Sequence, residues 1–405
     1  MTEPQPTAVG EQSVLPSTTS SLGEIFRVAL RLGLTSFGGP TAHLGYFREE
    51  YVVRRRWLDE RRYADLVALC QFLPGPASSQ VGIGIGTLRG GILGGVAAWL
   101  GFTMPSVLLL VAFAYGVERF AVADSGWLHG LEVAAVAVVA QAVWGMARQF
   151  CTDRQRATIA VVAAIVALLV PNAVGQLAVI AGAGFVGWRL LAPTASAAPP
   201  MPPSRARIDR RFASACLVLF FVLLAGLPLL RLVAPGGGVA LLDSFYRAGA
   251  LVFGGGHVVL PLLQTATVAP GWLTDAQFVA GYGATQAMPG PLFTFAAYLG
   301  AVRGPGPNGI LGAALAIGAI FLPSFLLIWG ALPFWERLRA HPGFGRALRG
   351  INAAVVGLLL AALYTPVWTS AIRVPRDFAL ALAAFGLLTI WKLPPWLVVA
   401  LTALG

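Results

Sequence analysis

Charge is what this sequence has least of. Of its 405 residues, 11% are Asp, Glu, Lys or Arg and 57% are hydrophobic, whereas a soluble domain carries about 25% charged residues. A soluble globular chain is excluded, and the lipid bilayer is the first partner the composition implies. Lysine is nearly missing. Lys392 is the single one, and it follows Trp391 rather than a glycine-rich loop. A phosphate-binding loop needs Gly-Lys-Ser/Thr, so no nucleotide partner is expected. Cysteine is scarce too: Cys70, Cys151 and Cys216 lie in or beside apolar runs without CxxC spacing, which suggests buried packing residues and neither a disulfide framework nor a metal knuckle. No His/Cys/Asp/Glu cluster has ligand spacing and no Ser-His-Asp arrangement stands out. Neither a metal nor any other cofactor is expected, and no enzyme.

The net charge of +11 is almost all arginine. These arginines are scattered over short loops, where the positive-inside bias of membrane proteins accounts for them, so no nucleic acid is expected. Polar, Ser/Thr/Pro-rich sequence is confined to residues 1–21 and 193–211. The first stretch lacks the basic start and apolar core of a signal peptide and reads as a disordered tail.

What is present is present twice. Phe37-Gly38-Gly39 returns 216 residues later as Phe253-Gly254-Gly255, and Trp57-Leu58 returns as Trp272-Leu273. Gln71 with Pro74-Gly75-Pro76 returns as Gln286 with Pro289-Gly290-Pro291, Gly91-Ile92-Leu93-Gly94 as Gly309-Ile310-Leu311-Gly312, and Pro105-Ser106 as Pro323-Ser324. Five landmarks in one order indicate duplication: a first repeat over 22–192, a linker over 193–211, one extra apolar helix over 212–234, and a second repeat over 241–405. If each repeat crosses the membrane an even number of times, the added span turns the second upside down.

Arginine placement agrees with this. The stretch 48–62 holds Arg48, Arg54, Arg55, Arg56, Arg61 and Arg62 while its partner, 257–277, holds none; Arg337, Arg339, Arg346 and Arg349 crowd a loop whose first-repeat partner has only Arg119. The bias reverses between repeats, which puts the linker in the cytoplasm. Arg373 and Arg376 fall on the wrong side of this scheme. The fold class expected is an all-α polytopic membrane protein of two inverted repeats with broken or re-entrant helices and an odd total of about nine to thirteen spans. Clear spans are read at 127–146, 156–170, 173–190, 213–233 and 349–364.

The two Pro-Gly-Pro motifs break helices at equivalent depths. Non-helical backbone is tolerated in a membrane only where protein or a water-filled cavity covers it, and matched interruptions in two repeats point to a transporter binding site. Simple kinking for packing is the competing reading. Ser78 and Ser79 follow the first break as the opening turn of a new helix, with Thr294 in the second copy, and such a terminus favours anions. The glycines Gly38, Gly39, Gly254, Gly255 and Gly256 admit close approach of either a ligand or another helix.

Ionisable residues inside apolar runs are functional candidates: Arg27, Arg31, Arg89, Glu132, Arg247 and Arg303. Arg89 and Arg303 follow the two breaks at nearly equal spacing and could grip an oxyanion bidentately, or snorkel to the interface. Glu132 aligns with Asn352 and is weighed as a proton carrier against a helix-dipole partner. His43 and His257 follow the glycine clusters and could titrate near neutrality, or be ordinary interfacial histidines.

Phe37-Gly38-Gly39-Pro40, the Arg/Glu-rich stretch through Trp57-Leu58, and Gln71-Phe72-Leu73-Pro74-Gly75-Pro76, with their second copies, resemble the chromate ion transporter superfamily in its long, two-domain form. The resemblance implies secondary efflux of chromate across a bacterial inner membrane, with sulfate as competing or exchanged anion, an odd span count and oppositely oriented halves. Gly256-His257 departs from the Gly39-Pro40 edge, so the two motifs are not equivalent. Transport of another oxyanion such as sulfate is the alternative and a membrane-embedded oxidoreductase a remote one; assembly as a homo-oligomer is compatible with all three.

Overall fold

The computed structural model describes residues 20–37, 39–119, 126–171, 173–192, 208–234, 236–253, 258–335 and 342–404. Residues 1–19 of the expected tail and 193–207 of the expected linker lie outside these, as do Gly38, Gly254, Gly255, Gly256 and His257. Among the described residues all regular structure is helical, as segments without water must satisfy their backbone internally.

The first unit contains α1 (Leu22–Thr35), α2 (Gly39–Phe47), α3 (Glu60–Phe72), α4 (Ala77–Arg119), α5 (Gly126–Phe150), α6 (Arg154–Leu169) and α7 (Ala173–Leu190). After α8 (Arg210–Val233) the order repeats: α9 (Gly237–Leu251), α10 (Val259–Thr267), α11 (Asp275–Ala287), α12 (Phe295–Val302), α13 (Gly309–Ala331), α14 (Pro342–Ala362), α15 (Pro375–Thr389) and α16 (Pro395–Leu404). Equivalent caps start equivalent helices. Asp59 accepts from the Arg62 N–H to begin α3, and Thr274 forms a capping box with Gln277 to begin α11.

α4 is not one straight helix. Gly90 and Gly91 leave helical geometry, with φ of −132° and 67°, and the chain folds back on itself. Gly86 and Gly94 approach so closely that a Cβ on either would meet the carbonyl of the other, although eight residues along a continuous helix are about 12 Å apart. In the second unit Gly300 on α12 and Gly312 on α13 make the same contact, with the turn at 303–308. The sequence reading did not foresee these hairpins, because Gly91 and Gly309 served there only as landmarks of the repeat.

Among the described residues, five helical segments are long and apolar enough to cross a membrane: Ala77–Gly116 (which contains the α4 turn), His129–Phe150, Arg210–Val233, Gly309–Phe334 and Gly345–Ala371. In α8 only 11% of the apolar window is buried. A helix apolar on all sides and uncovered by protein is stable only against lipid. α1 and α9, with 14 and 15 residues, reach only about 21 to 23 Å, short of a 30 Å hydrocarbon core.

The two units interlock. α5 packs against α11, α15 and α16 of the second unit, while α14, its equivalent, packs against α6 and α7 of the first. The second limb of α4 lies beside α13. Gly309, at the start of α13, faces the Tyr115 hydroxyl near the end of α4, and Phe321 and Phe325, further along α13, pack on Trp99 early in the second limb with ring centroids 5.5 and 5.4 Å apart. These equivalent helices therefore run in opposite directions.

Candidate functional site at the paired helix breaks

Gly75 and Gly290 hold φ of 122° and 95°, a region open to glycine and strained for other residues. Each turns its backbone N–H towards the other unit. The Gly75 N–H donates to the Val252 carbonyl at 2.7 Å, and the Gly290 N–H donates to the Ser36 carbonyl at 2.9 Å. Val252 and Ser36 are the equivalent residues that end α9 and α1. Ser106, on the second limb of α4, donates to the Pro289 carbonyl. Its counterpart Ser324 on α13 faces Gly75, where a Cβ would lie 3.0 Å from the Ser324 hydroxyl. Four helix ends thus meet in a reciprocal seam.

Polar side chains line this seam without partners. The hydroxyls of Ser36, Ser79, Thr103 and Ser324 belong to residues at most 2% exposed and make no hydrogen bond. Gln80 donates to the Pro74 carbonyl at 2.7 Å, and its Oε1 is unpaired. His43, 1% exposed, sits edge-on to Phe102 with Nδ1 3.3 Å from the Ser78 hydroxyl, and its Nε2 is unpaired. Buried polar atoms are nearly always satisfied, so such a concentration of orphans marks a place for ordered water or a polar ligand. Hydroxyl donors and the opening turn of α4 can replace the hydration shell of an anion.

The other expected residues divide. Thr294 donates to the Pro291 carbonyl at 2.7 Å, so it is no free counterpart of Ser79. Pro76 accepts from the Gln80 N–H at 2.9 Å, and Gly39 opens α2 with φ of 77°. Gln71 is exposed, while Gln286 is partly buried with an unpaired Nε2.

Arg89 and Arg303 are not brought to the seam. Arg89 ends the first limb of α4, about 18 Å along the helix from its start. Its guanidinium lies 5.4 Å from the Trp57 ring and donates to Ser20 at 3.1 and 3.2 Å. Arg303 lies 3.9 Å from the Trp272 ring, 3% exposed. Both units thus lay an arginine on a tryptophan, a cation–π contact, far from the break that precedes it in sequence; Arg303 is buried there and Arg89 half-buried.

Glu132 belongs to a third cluster, at the start of α5. It is 5% exposed, and its Oε2 lies 3.3 Å from His129 Nδ1 and 3.2 Å from Arg373 Nη2. His129 Nε2 reaches Asp377 at 3.1 Å, and the Arg373 backbone N–H donates to Asp377 at 2.8 Å. Arg373 seemed misplaced by the loop-charge rule because its partner is a buried carboxylate remote in sequence. Removing one member of a buried pair costs about 3 to 5 kcal/mol. Because Arg373 is 59% exposed, it loses little when Glu132 is replaced, whereas Arg373→Gln leaves the buried Glu132 carboxylate short of a partner; we expect Arg373→Gln to cost about 2 kcal/mol after solvent screening, read as a lowered melting temperature, and Glu132→Gln to cost less.

Sequence reasoning missed Ser36, Thr103, Ser106 and Ser324 as site residues. The signal was present in the repeated Pro105-Ser106 and Pro323-Ser324, used only as alignment landmarks.

Membrane-length apolar helices, a duplicated order of elements and matched breaks at a buried polar seam define a multi-pass helical membrane protein. The family model described as chromate transporter matches residues 23–188 and again 239–405. A chromate transport protein of Pseudomonas aeruginosa is 31% identical over 95% of this chain and 91% of its own length. One from Cupriavidus metallidurans is 28% identical over 100% and 97%, and an uncharacterized transporter of Methanocaldococcus jannaschii is 27% identical over 83% and 82%. No solved structure matches the chain significantly. The protein belongs to the chromate transporter family.

Proposed function

We propose that this protein exports chromate across the bacterial plasma membrane by alternating access, with the seam at Gly75 and Gly290 as the anion site. The observation that carries the reading is the reciprocal meeting of two helix breaks among buried, unpartnered hydroxyls. Chromate there would be held by the Ser36, Ser79, Thr103 and Ser324 hydroxyls and the first turn of α4, donors that suit a tetrahedral dianion. Inverted repeats are supported by the opposite directions of α13 and the second limb of α4. A cytoplasmic 193–211 linker is supported by the grouping of arginines: Arg349 donates to the Ala192 carbonyl at the linker's edge, and α13 ends beside the start of α8, where Gly330 meets Leu217. In this arrangement Arg89 and Arg303 stand at opposite mouths, as steering charges rather than central ligands. Export of negative charge from a negative-inside cell is favoured by about 2.3 kcal/mol per charge per 100 mV.

The test is uptake of radiolabelled chromate into everted membrane vesicles, with and without excess sulfate. Protein-dependent uptake that sulfate inhibits, and that Ser79→Ala and Ser324→Ala reduce, is the expected result. Accumulation of sulfate without chromate would keep the seam and replace the substrate. Movement of neither anion would sink the transport reading.

A further inference from the structure

A second polar enclosure lies between α7 of the first unit and the opening helices of the second. A cavity of about 370 Å³ opens between α7, α9, α10 and the last turn of α8, lined by Arg231, Arg247, Gln176, Ser244 and Thr265 together with small apolar residues such as Ala266. Its volume falls in the range of small-ligand sites. Gln176 is fixed by donating to the Pro261 carbonyl at 3.1 Å and to the Thr265 hydroxyl at 2.8 Å.

Charge in this cavity is unbalanced. Asp243, 0% exposed, accepts from Arg247 at 2.7 Å and from Arg231 at 3.4 Å through the same oxygen, Oδ2. Two guanidinium groups therefore share one carboxylate, and Arg247 Nε, buried, makes no hydrogen bond. Arg303 adds a third positive charge close enough to repel Arg231. With side chains 39% and 27% exposed, Arg231 and Arg247 leave a net positive charge at the cavity that attracts an anion.

The repeat shows that this is not a packing necessity. Arg31 occupies the position equivalent to Arg247, 216 residues earlier. Its side chain is 61% exposed and reaches Glu50 only at 3.9 Å, whereas that of Arg247 is 27% exposed. Position 243 is acidic in the second unit where its equivalent, Arg27, is basic. The second unit alone has drawn its arginine inward beside an acidic anchor.

We infer that this cavity is a second anion site, which takes a tetrahedral divalent oxyanion between Arg231 and Arg247 at the end of α8 opposite the linker. Each guanidinium keeps one edge on Asp243 and offers the remaining N–H donors to the anion, the fork geometry that suits oxyanions. Binding here needs only the cavity and its charges, so it stands or falls independently of transport through the seam.

The experiment is protection from phenylglyoxal, an arginine reagent, on the full-length protein in nanodiscs, with modified positions read by peptide mass spectrometry. At sulfate concentrations about ten times its dissociation constant, modification of Arg231 and Arg247 is expected to slow about tenfold, while exposed Arg189 reacts unchanged. Ala266→Phe, which fills the cavity and leaves all charges in place, is expected to abolish the protection. If that variant does not fold, Arg247→Gln serves, with Arg231 as the reporter. No protection, equal protection by chloride at matched ionic strength, or protection that survives Ala266→Phe would each overturn the site. Intact protection beside absent chromate transport would leave this site standing and remove the seam reading instead.

Discussion

Gly75→Val is expected to reduce chromate uptake into everted vesicles to the level of vesicles without the protein, and Gly290→Val to do the same. The expectation rests on three effects that act together. Both positions hold positive φ, which costs a β-branched residue about 1 to 3 kcal/mol. A Cβ at 75 would stand 2.6 Å from Gln80 Nε2 and 3.0 Å from the Ser324 hydroxyl, so Gln80 must release the Pro74 carbonyl. At 290 the added carbon meets the Ser106 hydroxyl, the group that ties Pro289 to the other unit. Displacement of either break also breaks its N–H bond across the seam, and a site misplaced by about 1 Å loses on the order of a hundredfold in rate. Membrane insertion should survive, because the apolar helices are untouched; comparable protein in the membrane with full transport activity would show that the seam is not where the anion passes.

The second large effect is on stability. Trp272→Ala is expected to cost about 3 to 5 kcal/mol, the range for removing a buried large aromatic residue, and to leave little monodisperse protein after extraction. Arg303 is 3% exposed, 3.9 Å from this ring, and its Nε and Nη1 make no hydrogen bond. The aromatic face is its main stabilising surface, worth about 2 kcal/mol when desolvated. Trp57→Ala should cost less. Arg89 also donates to Ser20, and Arg55, 5.5 Å from the same ring, is held by Glu50 at 2.8 Å and Glu24 at 3.0 Å. Thermal unfolding of the two variants in one detergent measures the difference, and equal losses would refute this account.

The sequence revealed the architecture because duplication leaves two records of each constraint. Pro74-Gly75-Pro76 and its copy located the breaks, and Trp57 and Trp272 located the loops before α3 and α11. What could not be read was which groups meet. Spacing put Arg89 thirteen residues after Pro76, and along a helix that distance carries it to the opposite end of the limb. The Gly90-Gly91 turn then fixes it beside Trp57, a contact no linear pattern displays. Ser324 shows the same limit from the other side: 249 residues separate it from Gly75, and only exchange between units makes them neighbours. Glu132 and Arg373 likewise pair across 241 residues, which is why a loop rule based on local charge misplaced the arginine.

The crossed packing of α5 and α14 sets a timetable for biosynthesis. α5 leaves the ribosome early, but α15 and α16, on which it rests, begin more than 220 residues later. At translation rates of about 5 to 20 residues per second, α5 waits on the order of 10 to 50 s for them. During that interval the first unit carries an uncovered small-residue face in the bilayer, open to adventitious helix partners. α6 and α7 wait for α14 in the same way, and removal of α16 alone would leave a helix synthesised some 245 residues earlier without part of its seat.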